Sequence, residues 1–425
     1  MSELLIINGR VIDPRSGVDG IADVRIEKGK IVAVGPNLTR SEGARIYDAS
    51  EKWVVPGLID IHTHLRDPGY EYKETIETGG KSAAAGGFTS ICCMANTKPV
   101  NDNGEITDYI INTAKATSPV NVYPIGALTK GLGGEVLANI GEMAERGVVA
   151  LSDDGRCVQN GAVMRAAVEY AKMFGLVVME HAEDGCLNSG GVMNEGLVAT
   201  EMGLVGFPRI AEDVIVARDV ALADYLDANI HIAHVSTRGT VELIRDAKKR
   251  GVKITGEAAP HHFTLTDEAC RGYNTNAKMA PPLREEDDVR AIKEGLADGT
   301  LDCIATDHAP HAVDDKEVEF DHAAFGIVGF ETAVPLSLAL VREGVLTPTR
   351  LIEAMAARPA EIVRLDRGTL AVGAVADVTV IDPAVEWTVD PTRFATKGRN
   401  TPFAGWQVQG RAVATIVKGK IVYEC

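Results

Sequence analysis

An apolar run that ends in two histidines stands at Val54-Val55-Pro56-Gly57-Leu58-Ile59-Asp60-Ile61-His62-Thr63-His64-Leu65-Arg66. The apolar residues predict a buried strand, and alternate side chains of an extended chain share one face. His62 and His64 therefore point the same way at the end of this strand. Two imidazoles that converge on one point suit a divalent transition metal, zinc above all. An isolated pair of this kind is about as often packed in a core or turned to solvent.

Seven more strand-like runs follow the first one. They are Phe88–Met94, Val120–Leu128, Val148–Ser152, Leu176–Glu180, Ile230–His234, Lys253–Ala258 and Leu301–Thr306. Stretches of helical spacing lie between them, namely Glu77–Ala85, Ala162–Phe174, Glu212–Ala228, Thr240–Arg250 and Glu286–Ala297. This alternation predicts an α/β protein with a (β/α)8 TIM-like barrel. A doubly wound open sheet competes with it, but no glycine-rich phosphate loop follows the first strand.

Both ends of the chain alternate short strand-like runs with turn signals. In the N-terminal part, Leu4–Ile7 and Val11–Ile12 are separated by Asn8-Gly9, and a closing hairpin is predicted around Lys418-Gly419. Neither end has enough apolar strands to fold alone. We therefore predict one small composite β domain made from residues 1–53 and 368–425, around a barrel of residues 54–367 that carries an insertion near residues 185 to 210.

The composition excludes several classes of protein. The chain has 425 residues, 45% of them hydrophobic, and a formal net charge of −17, which argues against nucleic acid or an anionic membrane as the main partner. It contains no apolar run of 18 residues, and its N-terminus lacks the pattern of a signal peptide. The seven cysteines show no CxxC spacing. These features predict a cytoplasmic protein with reduced thiols.

Polar residues able to bind metal follow most of the predicted barrel strands. Nine of the ten histidines lie there, whereas random placement would scatter several onto helices and outer loops. Because a barrel places its active site at the carboxyl ends of its strands, we expect these side chains to converge. Four histidines and two aspartates suffice for two metal ions that share a carboxylate and activate water for hydrolysis. Any single histidine of the set could instead be a satisfied core or loop residue.

Two long motifs stand in order along the chain. The first is Asp60-Ile61-His62-Thr63-His64-Leu65-Arg66-Asp67-Pro68, and the second is Ala305-Thr306-Asp307-His308-Ala309-Pro310-His311, followed by Lys316. Two shorter stretches of the same kind are Met94-Ala95-Asn96-Thr97-Lys98-Pro99 and Lys278-Met279-Ala280-Pro281-Pro282-Leu283-Arg284. In these motifs the chain resembles the dihydroorotases of the amidohydrolase superfamily, in particular the long bacterial type. The resemblance covers essentially the whole chain.

The resemblance implies two zinc ions per chain. The implied ligands are His62, His64 and Asp307 for the first ion, His181 and His234 for the second, and Asp154 as the bridge between them. Many relatives use a carboxylated lysine as the bridge, whereas the fourth strand here ends in two aspartates and no lysine. The residues alone leave open whether Asp153 or Asp154 takes that place.

The implied reaction is the reversible cyclisation of N-carbamoyl-L-aspartate to L-dihydroorotate, in de novo pyrimidine (UMP) biosynthesis. In the hydrolytic direction a metal-bridging hydroxide would attack the ring amide carbonyl, with Asp307 as the general acid and base. The implied substrate contacts are His64, Arg66, Asn96, His311 and the Phe325-Gly326 backbone. The guanidinium of Arg66 suits a carboxylate because it can donate two parallel hydrogen bonds. Ala280 stands where many members have an asparagine that touches substrate.

Two alternatives differ from this hypothesis. A hydantoinase, dihydropyrimidinase or allantoinase would share the metal site without the carboxylate pocket. A catalytically inactive homologue that only scaffolds aspartate transcarbamoylase would be expected to lose metal ligands, and this chain keeps every one. The expected partners are the small-molecule substrate and, as candidate assemblies, a homodimer and aspartate transcarbamoylase.

Overall fold

A computed structural model describes residues 3–425 of the chain. It contains eighteen strands among these residues. In chain order they are β1 Leu4–Asp13, β2 Val18–Glu27, β3 Lys30–Gly35, β4 Arg45–Asp48, β5 Trp53–Pro56, β6 Leu58–Thr63, β7 Phe88–Cys93, β8 Asn121–Pro124, β9 Ala150–Leu151, β10 Val177–Glu180, β11 Met193–Asn194, β12 Gly206–Phe207, β13 Ile230–Ile232, β14 Ile254–Ala258, β15 Cys303–Ile304, β16 Val378–Thr388, β17 Gln407–Val417 and β18 Lys420–Glu424.

Thirteen α-helices lie between the strands of the described residues. They are α1 Ile76–Ala85, α2 Gly104–Thr117, α3 Ile140–Arg146, α4 Gly161–Met173, α5 Leu197–Met202, α6 Ile210–Leu226, α7 Arg238–Lys249, α8 Pro260–Thr264, α9 Glu286–Asp298, α10 Val313–Lys316, α11 Phe330–Arg342, α12 Pro348–Ile352 and α13 Arg358–Ile362. Polar side chains cap several of them: the oxygens of Thr75, Asn103 and Asn160 accept N–H groups of the first turns of α1, α2 and α4. Within residues 3–425 no helix combines the length and apolar character needed to span a bilayer.

Strands from both chain ends form one eight-stranded sheet, as predicted. Its order is β18-β17-β16-β5-β1-β2-β3, with β4 paired to β1. The two ends meet where β5 runs antiparallel to β16, with Val54 opposite Val380. Buried apolar residues of both ends, such as Ile6, Val378 and Ile416, share one cluster. Neither end could bury these side chains alone, which is the physical reason for the composite sheet.

The central part of the chain forms the predicted barrel. The parallel strands β6, β7 and β8 make one arc, and β9, β10, β13, β14 and β15 make the other. Two parallel bridges, Gly126 to Leu151 and Thr63 to His308, join the arcs and close the circle. The closed ring excludes the doubly wound open sheet. The limits 54–367 for the barrel as a separate domain remain a prediction.

The predicted first barrel strand, Val54–Ile61, is wrong in one respect. Val54 and Val55 pair with β16 in the composite sheet, and the barrel strand β6 begins at Leu58. The change of partner occurs at Gly57, where a Cβ atom would collide with the side chain of Thr89. The apolar run is continuous because both sheets bury it, so periodicity could not show the division.

The predicted break at Asn8-Gly9 is also wrong, since β1 runs through it. Asn8 has a φ of +64°, and the register of β1 against β2 shifts between Ile6 and Gly9. The two residues therefore form a bulge inside one strand. By contrast, Lys418-Gly419 turns a hairpin as predicted, and Lys28-Gly29 turns a second one, with positive φ at all four residues.

Candidate active site

The barrel strands bring the polar strand ends together around one cavity. Its volume is about 380 Å³. Most of the predicted site residues line it: His64, Arg66, Asn96, Asp154, His181, His234, Asp307, His311 and Phe325. His62 lies behind this wall and is fully buried. The predicted convergence at the carboxyl ends of the strands is therefore present.

One group of potential ligands comes from β6 and the segment after β15. Asp307 Oδ1 lies 3.0 Å from His64 Nε2 and 3.6 Å from His62 Nε2. The three side chains offer donor atoms within 4.8 Å of one another, and all are buried. Asp307 has a φ of +48°, a strained conformation for a residue with a side chain, which is common where a functional group must be aimed.

Asp154 is the centre of the cluster. Its Oδ1 lies 3.2 Å from His62 Nε2 and 3.5 Å from both His181 Nδ1 and His234 Nε2, and its Oδ2 lies 3.5 Å from His64 Nε2. One carboxylate thus faces histidines of both predicted ligand sets. This is the arrangement a bridging ligand requires.

The neighbouring Asp153 is turned away from the cluster. Its Oδ1 accepts the backbone N–H groups of Leu128 and Thr129 at 2.8 and 3.0 Å, and its Oδ2 accepts the Thr129 hydroxyl. These bonds fix the loop after β8. With both its oxygens engaged, Asp153 serves loop structure, and the geometry favours Asp154 as the bridge.

Unpartnered atoms show that the cluster fits divalent cations. His62 Nε2, His234 Nδ1 and Asp154 Oδ1 are buried and have no hydrogen-bond partner among the described residues. Burial lowers the pKa of His62, but the Asp154 and Asp307 carboxylates more than offset it, so that the pKa lies well above its usual range. Burial raises the pKa of Asp154, but His62 outweighs it and the pKa is well below the usual range. The buried carboxylates that favour a proton on His62 would equally favour a metal ion in its place.

Other side chains orient the histidines. His64 Nδ1 lies 3.0 Å from Asn96 Oδ1, His181 Nε2 lies 3.2 Å from Glu183 Oε2, and His62 Nδ1 lies 2.6 Å from Glu257 Oε1. Such partners fix the tautomer and direction of metal-binding histidines. Sequence reasoning missed the two glutamates. Glu257 had a detectable signal, a charged residue inside an otherwise buried strand.

Arg66 and His311 form the wall beside the cluster. The partly buried Arg66 donates from Nε to the Pro310 carbonyl at 3.2 Å, and its Nη2 lies 3.4 Å from His311 Nε2. Burial, with the nearby charges of Arg66 and Lys73, lowers the pKa of His311 to about 2. His311 is therefore neutral, and Arg66 supplies positive charge at this wall. A partly buried guanidinium with free donors at a cavity wall is suited to an anionic group of a ligand.

Phe325 and Gly326 are placed differently from each other. The Phe325 side chain lines the cavity, and its carbonyl lies 2.8 Å from His311 Nε2. Gly326 does not line the cavity. Its N–H donates to the Lys278 carbonyl, and its carbonyl accepts from Lys316 Nζ and Asn400 Nδ2. Both backbone groups of Gly326 are thus engaged within the protein. Ala280, the predicted departure, lines the cavity with a methyl group.

Comparison with known proteins places this site in a family. The model of the Dihydro-orotase-like family matches residues 51–240, and that of the Amidohydrolase family matches residues 196–423. A dihydroorotase of Geobacter metallireducens is 58% identical over 421 residues, which cover 99% of each chain. A dihydroorotase of Anaeromyxobacter dehalogenans is 56% identical over 427 residues, covering 100% of this chain and 99% of the relative.

Solved structures with the same fold include hydantoinases. L-Hydantoinase (dihydropyrimidinase) from Arthrobacter aurescens superposes with a TM-score of 0.91 at 26% identity, covering 100% of this chain and 96% of the other. D-Hydantoinase (dihydropyrimidinase) from Thermus sp. gives 0.83 at 26% identity, with 99% and 95% covered. The barrel with its composite sheet is thus the amidohydrolase architecture. Since relatives with well over half of their residues identical extend along almost the entire chain, the protein belongs to the dihydroorotase family of the amidohydrolases.

Proposed function

We propose that this enzyme interconverts N-carbamoyl-L-aspartate and L-dihydroorotate in pyrimidine biosynthesis. Family membership supports a cyclic amide hydrolase. One observation favours a substrate with a carboxylate: the partly buried Arg66 stands at the cavity wall directly beside the histidine and aspartate cluster. A hydantoin or an unsubstituted dihydropyrimidine has no carboxylate that would need this charge.

We propose two zinc ions as the cofactors. His62, His64 and Asp307 would hold one ion, His181 and His234 the other, with Asp154 between them. The placement of Asp154 within 3.5 Å of four imidazole nitrogens supports this division. Bound zinc supplies Lewis acidity, which polarises a carbonyl and lowers the pKa of water.

Asp307 is the proposed general acid and base. Its carboxylate lies at the cavity surface beside His64, within the ligand cluster. In ring opening it takes a proton from the attacking water and passes it to the leaving ring nitrogen. In ring closure it carries the proton in the opposite direction. The surrounding structure holds the Asp307 backbone at a φ of +48°, which aims this carboxylate in advance and saves reorganisation during the reaction.

Arg66, Asn96 and His311 are the proposed contacts of the substrate carboxylate, and His64 and Phe325 border the ring. Asn96 accepts from His64 through Oδ1, and its amide nitrogen lies 3.5 Å from the Asp154 carbonyl. His311 is held between Lys73 and the Phe325 carbonyl. The Phe325-Gly326 backbone remains the proposed contact of the pyrimidine ring, and the bonds from Lys316 and Asn400 to the Gly326 carbonyl anchor this segment.

A comparison of three cyclic amide substrates tests the proposal. Initial rates are measured for dihydroorotate, hydantoin and allantoin on one preparation, with zinc determined by elemental analysis. We expect strong preference for dihydroorotate and about two zinc ions per chain. Faster turnover of hydantoin or allantoin, or activity in protein without bound metal, would contradict it.

We also propose a cytoplasmic location, with a homodimer and a complex with aspartate transcarbamoylase as candidate assemblies. All seven cysteines are unpaired, as expected of a cytoplasmic protein. A homodimer, and an association with aspartate transcarbamoylase, can be tested by light scattering of the protein alone and mixed with that enzyme.

A further inference from the structure

A buried glutamate contacts both halves of the proposed metal site. Glu257 lies on β14 and is 1% exposed. Its Oε1 lies 2.6 Å from His62 Nδ1 and accepts the backbone N–H of His234 at 3.2 Å. His62 and His234 belong to different ligand sets. One oxygen atom therefore touches a ligand of each proposed ion.

A histidine that the site does not otherwise use fixes this glutamate. His231 Nε2 lies 3.0 Å from Glu257 Oε2, and His231 Nδ1 lies 2.8 Å from the Thr255 hydroxyl. His231 and Thr255 sit on the adjacent strands β13 and β14 and are paired in register. The carboxylate thus has partners on both oxygens and cannot rotate without breaking one of them.

These contacts determine what His62 presents to the cavity. A carboxylate that accepts Nδ1–H leaves the Nε2 lone pair free and makes the ring a stronger ligand. His62 Nε2 is the atom that faces Asp154. At His234 the backbone has a φ of +30°, and the bond from its N–H to Glu257 helps to hold this strained residue in place.

We propose that Glu257, held by His231, is a positioning residue that orients ligands of both metal ions. The inference rests on the proposed metal-dependent function. Glu257 lies in the barrel interior, beneath the cavity. It therefore acts on the bound ions only through His62 and His234. We expect its loss to weaken the binding of both ions, because it supports one ligand of each.

A third metal site is the competing explanation of these residues. His231, Glu257 and Cys303 offer donor atoms within 4.8 Å of one another, all buried. Against it, both oxygens of Glu257 already lie within hydrogen-bond distance of N–H groups. Cys303→Ala separates the two explanations. Positioning predicts unchanged zinc content, and loss of one ion per chain would overturn it.

Glu257→Gln is the main test, because it keeps the size and one acceptor while it removes the charge. Zinc affinity is measured on the whole enzyme by competition with a chelator, without substrate, and thermal unfolding is measured on metal-free protein. We expect roughly 10- to 100-fold weaker zinc binding, together with the modest fall in the unfolding temperature of the metal-free protein that follows when charge-assisted hydrogen bonds become neutral ones. Glu257→Asp, which retains the charge on a shorter side chain, should recover part of the affinity.

Asp302→Asn is the matched control. Asp302 is also a buried carboxylate, and it accepts the N–H of Gly256 on the same strand β14, but it pairs with Lys248 and Arg358 away from the cluster. We expect lower thermal stability and unchanged zinc affinity. If Glu257→Gln behaves like Asp302→Asn, Glu257 is only structural and the inference is wrong. If Glu257→Gln loses zinc while the unaltered enzyme does not act on dihydroorotate, the proposed function fails and the positioning role stands.

Discussion

Exchanging the two adjacent aspartates after β9 for asparagine should give opposite phenotypes. Asp154 faces four imidazole nitrogens at 3.2 to 3.5 Å, whereas Asp153 binds the loop at Leu128 and Thr129. Asp154→Asn should therefore remove metal and activity. Asp153→Asn should leave the metals in place and weaken the fold.

The sizes of the two effects follow from these contacts. Loss of the bridging charge removes about 4 kcal/mol of transition-state stabilisation, which is a rate lower by about 10³-fold. Asp153→Asn replaces charge-assisted bonds by neutral ones and should cost about 1–3 kcal/mol. With an unfolding entropy of about 0.9 kcal/mol/K for a chain of this length, the unfolding temperature should fall by about 1–3 °C.

The assay combines three measurements on each variant: initial rates with dihydroorotate, zinc per chain by elemental analysis, and thermal unfolding with and without chelator. The chelator arm separates stability that bound metal provides from stability of the fold itself. The reasoning is refuted if Asp153→Asn loses zinc while Asp154→Asn retains it. In that case Asp153 would be the bridge.

Four further predictions address the site. Asp307→Asn should lower kcat by at least about 10²-fold with a smaller change in KM, because it removes the basic carboxylate; near-normal kcat would exclude the proton-transfer role. Arg66→Lys keeps a charge but loses the paired donors, so KM for dihydroorotate should rise most, and an unchanged KM would remove the carboxylate contact. Activity should be independent of added bicarbonate, since the proposed bridge is Asp154 and not a carboxylated lysine; stimulation by bicarbonate would contradict that bridge. Lys316→Met removes the ammonium that donates to the carbonyls of Ala324 and Gly326 at 2.6 and 3.2 Å. The segment that carries Phe325 should then be held less firmly, so steady-state kinetics should show a higher KM for dihydroorotate. Zinc content is the control and should stay constant.

Much of the fold could be predicted because its elements carry local signals. Helix α9 begins at Glu286 both in the prediction and in the structure, and β7 begins at Phe88 in both. The predictions of secondary structure were wrong where one local sequence pattern is compatible with two structures. Asn8-Gly9 is a frequent turn pair, yet here the neighbouring strands continue the ladder past it as a bulge. Val54–Ile61 is uniformly apolar, so its sequence could not show that Gly57 divides two sheets.

The sequence by itself determined which chemical groups stand at the strand ends. These are the two alternating histidines His62 and His64, the histidines and aspartates after later strands, and the arginine two residues beyond the first pair. Only the tertiary structure decided what each group faces. Asp153 and Asp154 are chemically identical neighbours, and the closed barrel turns one to the Thr129 loop and the other to the histidines. Glu257 meets His62 across 195 residues of chain. Such contacts depend on barrel closure and strand register, which arise from packing over the whole chain, so no local pattern of residues encodes them.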